Sequence, residues 1–162
     1  MSYSTDDARQ ELLDSLAGAA DELGIAVASL GDAYEQLPEQ VGDRLEEALF
    51  RPVQSAYGRA KRTHNEFADR YKLPTRTFDQ QTGGNRAAGA KVGGGGPQQA
   101  KGAIDHAVDA VEEADIILVA LQDSMMPVEV GDPELRAGLA AVRELLDGAR
   151  RNARDFERTL GR

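Results

Sequence analysis

Two histidines, His64 and His106, are the side chains in this sequence best suited to metal chemistry. If the second and third helices predicted below are antiparallel, both imidazoles lie at a similar height, and Glu11 of the first helix lies near the same layer. Imidazole and carboxylate groups together can bind one transition-metal ion. Both histidines flank their hydrophobic stripes, however, and the paired Glu-x-x-His motifs of di-iron bundles are missing from the sequence. We expect boundary positions for both histidines and keep His64, His106 and Glu11 as the candidate ligands of a mononuclear metal site.

Phosphate chemistry is the second possibility, and the sequence argues against it. A phosphotransfer histidine needs a nearby cation, but neither histidine is followed by Lys or Arg within one turn. The segment Gly84–Lys91 has nearly the spacing of a phosphate-binding loop, but Ala90 separates its second glycine from the lysine, and Val92 stands where Ser or Thr would bind magnesium. The chain contains no cysteine, which excludes thiolate catalysis and cysteine-ligated metals. We expect no catalytic residue, no enzyme activity and no cofactor.

Asp115 is a charged residue in an apolar stretch, between Val111 and Leu118. Counting back from the turn between the third and fourth predicted helices places Arg143 at the same height. A partly buried Asp115–Arg143 ion pair would fix the register of these two helices more than it would add net stability. A polar ligand pocket inside the helical bundle is the alternative interpretation.

Four long amphipathic segments must position these residues. In each segment apolar residues recur at alternating spacings of three and four, as in helices that pack side by side. Pro38 and Pro127 end the first and third segments, and Asp132 followed by Pro133 is typical of a helix N-cap and first turn. The predicted helices span about residues 6–37, 39–71, 98–126 and 133–160.

Two irregularities interrupt this pattern. Pro52 falls inside the second segment, where it removes a backbone donor and clashes with the preceding turn, so we expect a kink or short break near Leu49–Arg51. Residues 80–97 are basic and rich in glycine. This composition cannot bury enough apolar surface to offset the entropy of ordering it, which predicts a long disordered loop.

The formal charge alternates along the chain in step with the helices. The net charges are −10 over residues 1–50, +7 over 51–101, −9 over 102–134 and +3 over 135–162. In an up-down bundle each helix would have two oppositely charged neighbours, and the basic block would neutralise the acidic helices beside it. Since the connections between helices 1 and 2 and between helices 3 and 4 are short, each pair forms an antiparallel hairpin. We predict an all-α fold, an antiparallel up-down four-helix bundle in a single domain of residues 1–162, with a Gly-rich loop between helices 2 and 3.

Composition limits the classes of partner that the chain can bind. A net charge of −9 argues against nucleic acid and anionic lipid, and no apolar run is long enough for a membrane span. The acidic N-terminus is not a signal peptide, and the lack of cysteine fits a cytoplasmic protein. Arginine outnumbers lysine 15 to 4, which is typical of proteins from GC-rich bacterial genomes.

The function that these observations favour is non-enzymatic. Long, alanine-rich helical stripes favour a protein–protein interaction or scaffolding role, with a protein partner or self-association into a homo-oligomer. The alternative is a four-helix bundle that binds a small ligand or a metal, at Asp115 or in the layer of His64 and His106.

Overall fold

The described part of the chain is helical apart from its connections. The structure is a computed structural model that describes residues 3–78 and 96–160. The all-α prediction is confirmed, because these ranges contain no strand. A π-helical turn, Glu46–Phe50, joins α2 to α3. The α-helices are α1 (Thr5–Glu35), α2 (Glu39–Leu45), α3 (Arg51–Arg70), α4 (Pro97–Asp123), α5 (Met126–Glu129) and α6 (Pro133–Leu160).

The helix ends follow the capping chemistry of the sequence. The Ser4 hydroxyl accepts a hydrogen bond from the Asp7 backbone N–H at 3.1 Å, and the Asp7 carboxylate accepts one from the Ser4 N–H at 3.0 Å. Asp132 caps α6, where it accepts a hydrogen bond from the Leu135 N–H at 2.8 Å. The third predicted helix corresponds to α4. It ends at Asp123, earlier than predicted, because Met125 adopts a left-handed conformation with φ of 68°.

The π-helical turn accommodates Pro52. In a regular α-helix the Pro52 ring would clash with the carbonyl of Ala48 and leave that carbonyl without its N–H donor. Widening the turn relieves the clash, and Asn152 of α6 supplies the missing donor through its Nδ2, 2.8 Å from the Ala48 oxygen. The predicted irregularity near Leu49–Arg51 is therefore a π-helical turn through which α2 and α3 remain one continuous helical stretch.

The helix directions differ from the predicted up-down alternation. At one end of the molecule Arg9 Nε lies 3.0 Å from the Val130 carbonyl oxygen, so α1 is antiparallel to α4, which ends beside Val130. Along α1, Gly18 faces Ile117 of α4 and Gly24 faces Tyr57 of α3. Both α3 and α4 are thus antiparallel to α1 and run in the same direction.

The predicted alternation of directions is therefore wrong for the step from α3 to α4. The reason is the connection from residue 71 to residue 96, which is long enough to pass from one end of the molecule to the other. Most of the loop predicted at residues 80–97, including the Gly84–Lys91 segment, lies outside the described residues.

Like charges, and not opposite charges, meet at the largest helix interface. α1 packs most extensively against α4, and α3 packs most extensively against α6. Yet α1 carries eight acidic residues and one arginine, and α4 carries six acidic residues and one lysine. Packing decides this pairing, because small residues let the two helices approach and their charges stay at the surface. The buried alanines are Ala8, Ala17, Ala19, Ala20, Ala26 and Ala33 on α1 and Ala100, Ala107, Ala110 and Ala114 on α4.

Candidate functional site

The long helices pack around a core of apolar side chains. Leu30, Val53 and Val111 line one small apolar void there, with a volume of about 10 Å³. A space of that size is at the limit of what one water molecule needs. The core at this level offers no room for a ligand, so the outer surfaces of the helices are where a site has to be sought.

The three candidate metal ligands do not come together. His64 is buried on α3 near Asp14 and Asp21 of α1, whereas His106 is exposed on α4. The prediction that they share a layer required α3 and α4 to be antiparallel, and these helices run in the same direction. Glu11 lies on the exposed surface of α1 and accepts a hydrogen bond from the Tyr3 hydroxyl. Among residues 3–78 and 96–160, no group of three or more His, Asp or Glu side chains could hold a metal ion.

Asp115 and Arg143 do meet, as members of a larger ion-pair cluster. Arg143 Nε lies 3.1 Å from one carboxylate oxygen of Asp115, and Arg150 Nη1 lies 2.9 Å from the other. The sequence analysis missed Arg150, although its spacing of seven from Arg143 places both on one face of α6. The cluster therefore joins α4 to α6, and each oxygen of Asp115 accepts a hydrogen bond from an arginine of α6.

A second buried carboxylate, Asp132, joins α6 to α3 at one end of the molecule. Arg70 donates to it from Nε at 2.7 Å and from a terminal nitrogen at 2.9 Å. Burial alone would raise the pKa of Asp132, but hydrogen bonds from Arg70, the Leu135 N–H and Tyr71 outweigh it and lower that pKa. Sequence reasoning recognised Asp132 only as a helix cap, because nothing local in the sequence identifies Arg70 as its partner.

A short segment after α3, residues 71–78, folds back over that helix. We call it the return segment. Lys72 turns the chain with a left-handed φ of 57°, and the Leu73 N–H donates to the Ala68 oxygen at 2.8 Å. Asn65 then holds the segment at the backbone of a single residue, since its amide donates to the Arg76 carbonyl at 2.8 Å and accepts from the Arg76 N–H at 2.9 Å.

His64 is the residue that the return segment covers. Its Nδ1 lies 2.8 Å from the Asn65 side-chain oxygen, which can only accept, so the imidazole donates from Nδ1. The Phe78 ring meets the imidazole edge-on, with 5.2 Å between ring centroids. Burial lowers the pKa of His64 below its ordinary value. This histidine is thus a neutral packing residue and has no access to a ligand.

A wide groove lies between α3 and the return segment. It has a volume of about 860 Å³ and adjoins a second groove of about 330 Å³ that continues toward α6. Arg59 and Arg62 line both. We call the combined feature the cationic groove. Its charged lining residues are Arg59, Lys61, Arg62, Arg70, Arg76, Glu66, Asp69 and Glu134.

The cations of this groove differ in how they are neutralised. Arg76 pairs with Asp21 at 2.9 Å, and Lys61 lies over the Tyr57 ring at 4.0 Å. Within residues 3–78 and 96–160, neither Arg59 nor Arg62 has an acidic partner within 4.0 Å. The predicted neutralisation of the acidic helices by the basic block therefore does not extend to these two guanidinium groups, which present ten N–H donors between them at a concave surface.

Comparison with known proteins places no constraint on this groove. The chain matches no family model, and neither a curated protein nor a solved structure is similar to it. No helix among residues 3–78 and 96–160 combines the length and apolar character that crossing a lipid bilayer requires.

Proposed function

We propose that this chain is a non-enzymatic four-helix-bundle protein of one domain that binds acidic protein segments through the cationic groove. The observation that carries the proposal is the pair Arg59 and Arg62, which lines both parts of the groove without a carboxylate partner among the described residues. The small size of the apolar void in the core supports it, because that void leaves no room for a ligand inside the bundle at its level.

The chemistry of the groove favours carboxylates. A guanidinium group binds a carboxylate through two parallel N–H···O hydrogen bonds, and such charge-assisted bonds are among the stronger ones in proteins. The polar side chains of Ser55 and Thr77 at the groove can hydrogen-bond a peptide backbone. The Glu66 and Asp69 carboxylates in the lining repel the phosphates of a nucleic acid, which binds mainly through its charge. An acidic peptide can in addition hydrogen-bond this polar lining through its backbone.

The proposal is tested by fluorescence anisotropy with a labelled poly-glutamate peptide as the probe. We expect binding that weakens as salt is raised, and at least a tenfold weaker affinity in the double variant Arg59→Gln/Arg62→Gln, about 1.4 kcal/mol. The matched control is Arg151→Gln/Arg154→Gln, which removes the same charge from exposed positions of α6 outside the groove.

Two outcomes would overturn the proposal. One is equal weakening in both double variants, which would mean that only net charge matters. The other is tighter binding of an oligonucleotide of matched length than of poly-glutamate. The alternative function, a metal or small ligand held inside the bundle, is tested separately by elemental analysis of the purified protein.

A further inference from the structure

The occupant of the cationic groove can be inferred from the opposite side of the molecule. Resting on the proposed function, we propose that the groove binds the outer face of α4 of a second copy of this chain, so that copies join head to tail. The cationic groove and the outer face of α4 match in charge, in spacing and in their placement on the molecule.

The outer face of α4 is an acidic ridge with an apolar centre. Asp109, Glu113, Ile116, Ala120 and Asp123 follow spacings of four and three, and all are exposed. Ile116 is 58% exposed and places an apolar side chain between the carboxylates of Glu113 and Asp123. We call these five residues the acidic ridge.

The spacing of the groove matches the spacing of the ridge when the two helices are antiparallel. In that register Arg62 of one copy lies opposite Asp109 of the other, and Arg59 lies opposite Glu113. Ile116 then lies opposite Ser55, an exposed residue of the groove lining. The apolar centre of the ridge therefore meets a small side chain, and each guanidinium meets a carboxylate.

Within one copy, acidic side chains of α1 lie beside the acidic ridge and repel its carboxylates. α1 packs beside α4 and brings Glu22 close to Glu113. Burial first, and then the charges of Glu113 and Asp21, raise the pKa of Glu22 above its ordinary value. Like charges that crowd one side of the molecule are relieved when an arginine pair from a neighbour approaches.

Placement of the two surfaces decides the form of the assembly. α3 and α4 each pack against α1 and α6, so they lie across the core from each other and their outer faces point in opposite directions. A contact between two different surfaces on opposite sides of a molecule is heterologous, and it repeats without closing into a dimer. The expected product is a chain of copies whose length rises with concentration.

The test uses sedimentation velocity on two complementary variants. The groove variant is Arg59→Gln/Arg62→Gln, and the ridge variant is Asp109→Asn/Glu113→Gln. Wild type at low salt should form a concentration-dependent series of species that salt dissociates. Each variant alone should remain monomeric. An equimolar mixture should form a heterodimer and nothing larger, because the groove of the ridge variant is intact and the ridge of the groove variant is intact.

Three results would overturn this inference. They are a wild type that stays monomeric at low salt, self-association that persists in either variant alone, and variants that fail to pair when mixed although wild type assembles. Helical circular dichroism matched to wild type shows that the exposed substitutions leave the fold intact. If wild type is monomeric but still binds poly-glutamate, the assembly is refuted while the proposed groove function stands. If poly-glutamate does not bind, the proposed function itself fails.

Discussion

The α1–α4 pair and the α3–α6 pair solve the same packing problem with different residues. α1 and α4 are both strongly acidic, and their buried positions are rich in alanine. α3 carries five basic and two acidic residues, while α6 carries six basic and five acidic residues. The α3–α6 contact brings Gly138 against Thr63, and polar bonds such as Arg70 to Asp132 and Asn152 to Ala48 reinforce it.

This difference teaches that surface charge did not select the neighbours. Exposed charges interact weakly through water, on the order of a few tenths of a kcal/mol per pair, whereas each buried leucine contributes roughly 2 kcal/mol. Helices therefore pair by shape, and charge segregates as a result, with an acidic side on α1 and α4 and a cationic groove on α3. That segregation is the basis of both proposals made above.

The largest change in stability is expected when a glycine is replaced by alanine, and one glycine from each helix pair allows the comparison. A side chain at Gly138 would begin 2.3 Å from Thr63 Oγ1 and 2.6 Å from its Cγ2, while at Gly18 the nearest atom would be Ile117 Cδ1 at 4.0 Å. Gly138→Ala should therefore destabilise the protein by about 3 kcal/mol. Gly18→Ala should stabilise it by about 1 kcal/mol through helix propensity. Urea unfolding followed by circular dichroism measures both, and equal effects of the two substitutions would contradict the difference in packing.

The second largest change in stability is expected at Asp115, which links the α1–α4 pair to the α3–α6 pair. Asp115→Asn leaves Arg143 and Arg150 without the carboxylate that they share, and Asp115 is 6% exposed. We expect a loss of about 2 kcal/mol, reduced from the cost of a fully buried pair because both arginines are partly exposed. Asp147→Asn, which removes one exposed partner of Arg150, should cost under about 0.5 kcal/mol. If the two variants unfold at the same urea concentration, Asp115 does not join the helices as described.

The pH dependence reports on the histidine buried on α3. Burial lowers the pKa of His64, so below the ordinary value of 6.5 the unfolded chain binds a proton that the folded chain resists. Stability should therefore fall as the pH drops through 6.5 and below. His64→Asn should flatten this part of the stability curve. Thermal unfolding between pH 5 and pH 8 checks this, and a slope in His64→Asn as steep as in wild type would contradict it.

Local signals in the sequence were sufficient for two features of the helices. The start of α6 follows from Asp132, and the irregularity before α3 follows from Pro52. The Asp115–Arg143 contact was also accessible, because α4 and α6 are joined by a short connection whose residues can be counted. Short-range chemistry and short connections carry this information directly.

Relations across the long connection were not accessible in the same way. Whether α4 runs parallel or antiparallel to α3 depends on where a connection of many residues leads, and no local pattern decides that. The His64–His106 layer failed for this reason. The cationic groove was missed because it needs the return segment, whose position depends on Asn65 clamping the backbone of Arg76. No pattern in the sequence indicates that Asn65 and Arg76 are in contact.

The smallest expected effect tests whether the acidic pair carries residual repulsion. Because the folded pKa of Glu22 is raised, the folded chain holds this proton to a higher pH than the unfolded chain does, and stability falls as pH rises through and above 4.5. Glu22→Gln should therefore stabilise the protein at pH 7 by roughly 0.3 kcal/mol, a value that allows for solvent screening. The gain should disappear below about pH 4, where both states of wild type are protonated. Glu144→Gln, at an exposed position of α6, is the control that removes the same charge outside the acidic pair. A destabilised Glu22→Gln at neutral pH would mean that α1 and α4 have balanced their like charges in another way, and the electrostatic argument for a cationic neighbour on the acidic ridge would lose its support.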